Sequence, residues 1–245
     1  MESPKKLTSR NLSNPMAASS RRLLLFDIDG TLITSGGAGE GALMDAMKQR
    51  FGIGEDLAGI TIAGATDALI ARMMLEKNGL PASPENVTTL LDAYLTFLGG
   101  RLARHSGRVL PGIVRLLDRL RDRKDCVLAL LTGNLVRGAE IKLSHYRVWE
   151  YFEFGAFADD HHDRNELPKF ARARAVEAHG EDFPAERIFV IGDTPRDIEC
   201  GKAVGARTVA IATGNYSRAE LAAHHPDFLF DDLSDTDAVV GVLLG

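Results

Sequence analysis

Three short apolar runs each stop on a cluster of small polar and acidic residues, and this repeated pattern constrains the fold of the chain more than any other feature. Leu23-Leu24-Leu25-Phe26 leads into Asp27-Ile28-Asp29-Gly30-Thr31. Val127-Leu128-Ala129-Leu130-Leu131 leads into Thr132-Gly133-Asn134, and Ile188-Phe189-Val190-Ile191 into Gly192-Asp193-Thr194-Pro195-Arg196-Asp197. Continuous apolar runs of this length suit strands buried on both faces, the condition of a parallel sheet. Open α/β sheets place ligands outside the carboxyl ends of their strands, so three such ends can converge on one point.

From Leu110 onward, helical and strand patterns alternate. Helices are expected over residues 112–123, 135–146, 167–179, 195–204 and 218–223, and strands over 126–131, 152–157, 187–191, 208–211 and 227–230, before a terminal helix. With the first strand at 23–26, the expectation is an α/β fold with a doubly wound parallel sheet. Between Ser35 and Leu110 strand character nearly vanishes, over a stretch far too long for a simple loop. Residues 41–51, 67–78 and 84–104 carry helical periodicity, punctuated by Pro81 and Pro84. The chain therefore divides into a core of residues 21–35 and 110–245 and an inserted α-helical cap of residues 36–109, with hinges near Ser35 and Leu110.

The chemistry concentrates at the strand ends. Alternation along an extended chain points Asp27 and Asp29 to one side, and Gly30 can turn the backbone sharply after them. Such a pair suits a divalent cation held beside a nucleophile better than it suits a core. Thr132, Gly133 and Asn134 combine a hydroxyl, a flexible backbone and an amide that can donate to an anion. Asp193 and Asp197 add two more carboxylates at a third strand end.

This set resembles the haloacid dehalogenase superfamily of aspartate-nucleophile phosphohydrolases, and within it the phosphoglycolate-phosphatase-like branch with a helical cap. The likeness spans nearly the whole chain from about Leu23. It implies a Rossmannoid core in which Asp27 attacks phosphorus and Asp29 acts first as general acid and then as general base. It also implies phosphoryl oxygens held by Thr132 and by backbone near Gly30, Gly133 and Asn134. Mg²⁺ would be held by Asp27, Asp193 and the backbone carbonyl of Asp29, with Asp197 in support. The family also places a Lys or Arg before a later helix, beside the nucleophile. Here Arg164 is the first choice, with Asn165 as a helix N-cap and Pro168 in the first turn, and Lys169 the lesser one.

The resemblance implies a small phosphomonoester substrate, hydrolysed through a phospho-Asp27 intermediate. A sugar phosphomutase of the same superfamily and a non-catalytic phosphometabolite-binding protein are the competing readings. The formal charge of −5, from 29 basic and 34 acidic residues, gives no electrostatic case for nucleic acid. No apolar stretch approaches the length of a membrane span, and the two cysteines have no metal or disulfide spacing, so a cytoplasmic monomer or homodimer is expected. Residues 1–20, rich in Ser, Asn, Lys and Arg, read as a disordered tail, with a start at Met16 or a transit peptide as other readings.

Several motifs have plainer explanations than the chemistry they suggest. Gly37, Gly39 and Ala42 copy the spacing of a dinucleotide loop, but stand too far past their strand and read as the cap linker. Thr66 reads as the N-cap of the helix that follows it, in a region that the resemblance turns toward the site. His161 and His162 are neighbours expected to point apart in a solvated loop. His105, Ser106 and Asp118 lack the turn that a serine nucleophile needs.

Overall fold

The computed structural model describes residues 19–54 and 57–245. At its centre lies β1 (Arg22–Phe26), hydrogen-bonded in parallel to β4 (Cys126–Leu131) on one side and β6 (Ile188–Gly192) on the other. The sheet continues outward to β5 (Phe154–Ala156) beyond β4, and to β7 (Arg207–Ile211) and β8 (Phe228–Phe230) beyond β6. All six strands are parallel, in the order β5-β4-β1-β6-β7-β8. The strands that carry the three polar clusters are therefore immediate neighbours, and their carboxyl ends share one edge of the sheet.

Side-chain alternation explains why both faces are covered. Leu24 and Phe26 pack to one side, with α4 (Ile113–Leu120), α5 (Val136–His145) and α9 (Thr236–Leu244). Leu23 and Leu25 pack to the other, where α6 (Leu167–His179) and α7 (Pro195–Ala203) supply Leu167, Ala171, Ala175 and Cys200. Leu23, Leu24, Leu25 and Phe26 are all fully buried. At roughly 1.5–3 kcal/mol for each large side chain removed from water, this strand anchors the sheet. The short α8 (Arg218–Ala223) sets Leu221 against Ala210 and Ile198 near the edge.

The insertion carries three helices among the described residues: α1 (Ala38–Phe51), α2 (Asp67–Lys77) and α3 (Pro84–Leu102) enclose a second core that includes Met47, Met74, Leu90, Tyr94 and Leu98. Helix α1 starts earlier than residue 41, because Gly36 and Gly37 at φ +63° and +87° complete the turn out of the core. The spacing did not predict β2 (Ile33–Thr34) and β3 (Arg108–Val109), which pair antiparallel where the two crossings between core and cap meet. Each strand is two residues long, too short for any period to show.

Residues 1–18, most of the expected tail, lie outside the described residues. Ser19, by contrast, is buried and its N–H donates to the Asp182 carbonyl at 2.6 Å, so the tail boundary expected at residue 20 lies too late. Among the described residues no helix is long and apolar enough to cross a membrane.

Candidate active site

A cavity of about 570 Å³ separates the carboxyl edge of the sheet from the cap. Its floor comes from the ends of β1, β4, β6 and β7, and its roof from the start of α1, the segment ahead of α2 with the start of that helix, and Tyr94 of α3. The first acid, Asp27, extends β1 by one residue, its N–H donating to the Ile191 carbonyl of β6 at 2.9 Å. Its side chain is buried and Oδ1 accepts from Nη2 of Arg164 at 2.8 Å. The same Nη2 donates to Oδ1 of Asp197.

Arg164 reaches this position because a 3-10 turn over Arg164–Glu166 precedes α6 and turns the guanidinium inward. The cap of that turn is Asp163, whose side chain accepts from Asn165 N–H at 2.9 Å, so the expected role of Asn165 as N-cap is corrected. Nε of Arg164 finds no acceptor among the described residues, and Nη1 reaches only the Gly64 carbonyl, at 3.4 Å. Donors on Arg164 therefore remain for the oxygens of a bound anion. Lys169 does not join the site: its ammonium is largely exposed and binds Glu166 one turn away, at 2.6 and 2.7 Å.

Asp193, at the end of β6, completes a group with Asp27 and Asp197 in which one oxygen of each lies within 4.8 Å of the others. Asp197 is the least free of the three. Its Oδ2 accepts from the N–H and hydroxyl of Thr194 in the capping box of α7, at 3.0 and 2.6 Å, while Oδ1 is held by Arg164. It braces the site, and Asp27 and Asp193 offer the open oxygens. The carboxylate of Asp29 is not in this group.

Three buried carboxylates face one guanidinium here, which leaves two negative charges uncompensated. Burial pushes Asp27 up to about 6, against the pull of Arg164 and with Asp197 and Asp29 adding to the rise. Burial also raises Asp193 well above its usual value, helped by Asp197 and Asp27 and only partly opposed by Arg164. Asp193 accepts from the Thr31 hydroxyl at 3.3 Å. The donor set, all hard oxygens with a charge deficit of two, fits a divalent cation such as Mg²⁺.

The other predicted residues take more specific places. Gly30 sits at φ +84°, and a Cβ there would lie 2.2 Å from Oδ2 of Asp193, so only glycine lets the two strand ends approach. Its N–H donates to the Ile33 carbonyl at 2.8 Å, so Gly30 shapes the turn rather than binding an anion as expected. Thr132 is fully buried, and its hydroxyl oxygen accepts from the backbone and side chain of Asn134, at 3.3 and 2.9 Å. Its own proton is thus directed elsewhere. Gly133 touches the roof: its carbonyl accepts from Asp67 N–H at 2.7 Å. The amide of Asn134, expected to face an anion, is committed to Asp29, Thr132 and Lys142.

Sequence reasoning missed Lys142. It lies on the buried face of α5 with Gly138, Ala139 and Leu143, and its ammonium pairs with Oδ2 of Asp29 at 2.6 Å. A lysine in the apolar stripe of an amphipathic helix was the available signal. Asp67 was also missed. It is buried at the first position of α2, and its carboxylate accepts from Leu135 N–H at 2.8 Å. Thr66 caps α2 as expected, accepting from Leu69 N–H at 3.2 Å, while its hydroxyl donates to the His162 carbonyl at 3.0 Å. His161 and His162 do not point apart; their rings stack with centroids 4.5 Å apart.

The chain is similar to known proteins. A family model described as HAD-hydrolase-like matches residues 166–236. A protein of Dickeya dadantii named "Probable phosphatase IndB" is 26% identical over 225 residues, 91% of this chain and 94% of that one. The phosphoglycolate phosphatase of Mannheimia succiniciproducens is 25% identical over 236 residues, 89% of this chain and 98% of its own. The chain belongs to the haloacid dehalogenase superfamily. Within it, the chain stands among the phosphoglycolate-phosphatase-like hydrolases of phosphoric monoesters. A crystal structure of a hydrolase from Pseudomonas syringae has the same fold, with a TM-score of 0.71 at 22% identity over 92% of this chain and all of that one. In this superfamily member the helical insertion is the cap, and the cavity beneath it holds the acidic strand ends.

Proposed function

We propose that this protein is a Mg²⁺-dependent phosphatase that hydrolyses a small phosphorylated metabolite through a phospho-Asp27 intermediate. The observation that carries this reading is the placement of Asp27: one oxygen is fixed by Arg164, and the carboxylate stands beside Asp193 on the floor of the cavity, near Thr132. Asp27, Asp193 and the backbone carbonyl of Asp29 would hold the cation. When bound there, it supplies the positive charge that offsets repulsion between a carboxylate and a phosphate dianion.

The chain's own groups then divide the work. Arg164 keeps the nucleophile ionised and oriented and offers its spare donors to phosphoryl oxygens, as does the Thr132 hydroxyl. As Asp27 forms its bond to phosphorus, the bond to the ester oxygen breaks, and Asp29 gives that oxygen a proton so that an alcohol departs. Asp29, now ionised, takes a proton from water as the water oxygen attacks phosphorus and the phosphorus bond to Asp27 breaks. Inorganic phosphate leaves, and both aspartates return to their starting states.

The relatives named phosphoglycolate phosphatase support a short carboxylated phosphomonoester as the first substrate to try. Two free, buried cysteines, Cys126 and Cys200, support work in a reducing cytoplasm. The direct test is release of inorganic phosphate from p-nitrophenyl phosphate and from a panel of phosphorylated metabolites that includes phosphoglycolate. Turnover with Mg²⁺, its loss with EDTA and its return on adding Mg²⁺ are expected. No phosphate release with any divalent metal overturns the reading, and a rearranged sugar phosphate without free phosphate identifies a mutase instead.

A further inference from the structure

Lys142 has no task in the chemistry just described, yet it is buried against the acid/base. Its side chain is 6% exposed, and Nζ lies 2.6 Å from Oδ2 of Asp29 and 2.6 Å from Oδ1 of Asn134. A lysine can only donate, so the Asn134 carbonyl must face it, and the Asn134 Nδ2 is left to donate to the same Oδ2 of Asp29, at 2.9 Å. Nδ2 also reaches Oγ1 of Thr132 at 2.9 Å. Lys142 and Asn134 thus close on one oxygen of Asp29 from two sides, while the Asp29 side chain keeps 39% of its surface exposed.

We propose that Lys142 is the positioning residue of the acid/base, pinning Oδ2 of Asp29 so that Oδ1 alone carries and exchanges the catalytic proton. The argument is one of donors and acceptors and rests on the phosphatase reading above. An oxygen that already accepts from an ammonium and an amide has no room for a hydrogen of its own, so the neutral acid must hold its proton on Oδ1. Two contacts on Oδ2 also stop the carboxyl group from rotating. Oδ1 therefore stands in one place when it gives its proton to the departing ester oxygen, and again when it takes one from the attacking water. Lys142 reaches Asp29 and Asn134 with its ammonium and acts through Asp29.

Leaving-group dependence separates this role from a structural one. A p-nitrophenolate departs without a proton, whereas an alkoxide needs one, so loss of the acid's aim slows formation of phospho-Asp27 from an alkyl phosphate far more than from the aryl ester. In single-turnover acid-quench experiments, Lys142→Met is expected to slow phosphoenzyme formation about 100-fold with phosphoglycolate and less than about threefold with p-nitrophenyl phosphate. Added to Asp29→Asn, it is expected to cost no more than about threefold further, because both substitutions remove one function. Equal slowing with both esters, or losses that multiply in the double variant, overturns the proposal.

Where Lys142→Met fails to fold, Lys142→Gln and the double variant, which removes both charges of the pair, take its place. Failure of all three to fold makes Lys142 a structural residue and also overturns the proposal. A wild-type protein that releases no phosphate with any divalent metal instead overturns the phosphatase reading, a distinguishable result.

Discussion

The floor and the roof of the cavity are held together in different ways. The floor is a set of buried carboxylates locked to Arg164 and to the capping box of α7, on strands whose register leaves no slack. The roof meets that floor through apolar packing of α3 on α5, where Leu135 and Ile141 join the cap's core, and through a few polar contacts: Asp67 N–H on the Gly133 carbonyl, Leu135 N–H on Asp67, and the Thr66 hydroxyl on the His162 carbonyl. Polar contacts of that kind are each worth about a kilocalorie per mole net, so the segment ahead of α2 is held less firmly than the strand ends beneath it, while α3 stays packed on α5. The difference assigns reactivity to the floor and admission of substrate to the roof.

The largest effect should come from the floor. Asp27→Asn keeps a hydrogen-bonding group beside Arg164 but removes the nucleophile, and kcat should fall at least about a thousandfold while the thermal melt stays within a few degrees of wild type. Phosphate release and melting followed by circular dichroism measure the two sides. Appreciable turnover in this variant would take reactivity away from Asp27 and dissolve the division between floor and roof.

The floor was more legible in the sequence than the wiring around it, for a physical reason. Strand ends announce themselves, since an apolar run that stops on acids can be read residue by residue, and parallel neighbours bring those ends to one edge. The helix over Leu167–His179 and the strand over Cys126–Leu131 were legible for the same reason, as each has an uninterrupted period and marked ends. What a side chain does once it arrives was not legible. The family resemblance places Gly30 and Asn134 near an anion, but whether they face it depends on the partners folding brings, Ile33 for one and Lys142 for the other. Arg164 and Lys169 differ by little more than one helical turn. The 3-10 turn that rotates one inward and leaves the other on the surface is decided by the packing of α6 and by the Asp163 cap.

An intermediate effect should follow from separating the two layers. A Cβ on residue 133 would lie 2.2 Å from the Ala65 carbonyl and 3.0 Å from Cα of Thr66, both backbone atoms that cannot swing aside. Gly133→Ala should therefore push the segment ahead of α2 off the floor and break the Asp67–Gly133 hydrogen bond. Activity should fall about 10- to 100-fold through lost closure, with a stability loss near 1 kcal/mol. Steady-state kinetics beside a urea melt separate the two. A drop in stability matching the drop in activity would mean that the roof is part of the floor's fold.

The smallest effect, on stability alone, tests how the roof is charged. Burial pushes Asp67 up to about 6 from a usual value of 3.8, with Lys142 and the Leu135 N–H opposing the rise. A carboxyl group that holds its proton more tightly when folded contributes stability that is complete below about pH 4 and is lost as pH rises through about 6. At pH 7.5 the ionised group then costs on the order of 1–3 kcal/mol. Asp67→Asn can still accept from Leu135 N–H but cannot ionise. It should match wild type near pH 4, exceed it by about 1–3 kcal/mol at pH 7.5, and flatten the slope between. Urea melts at the two pH values measure this. If the variant were instead less stable at pH 7.5, the attraction between Asp67 and Lys142 would outweigh the cost of burial, and charge rather than hydrogen bonding would fasten the cap to the sheet.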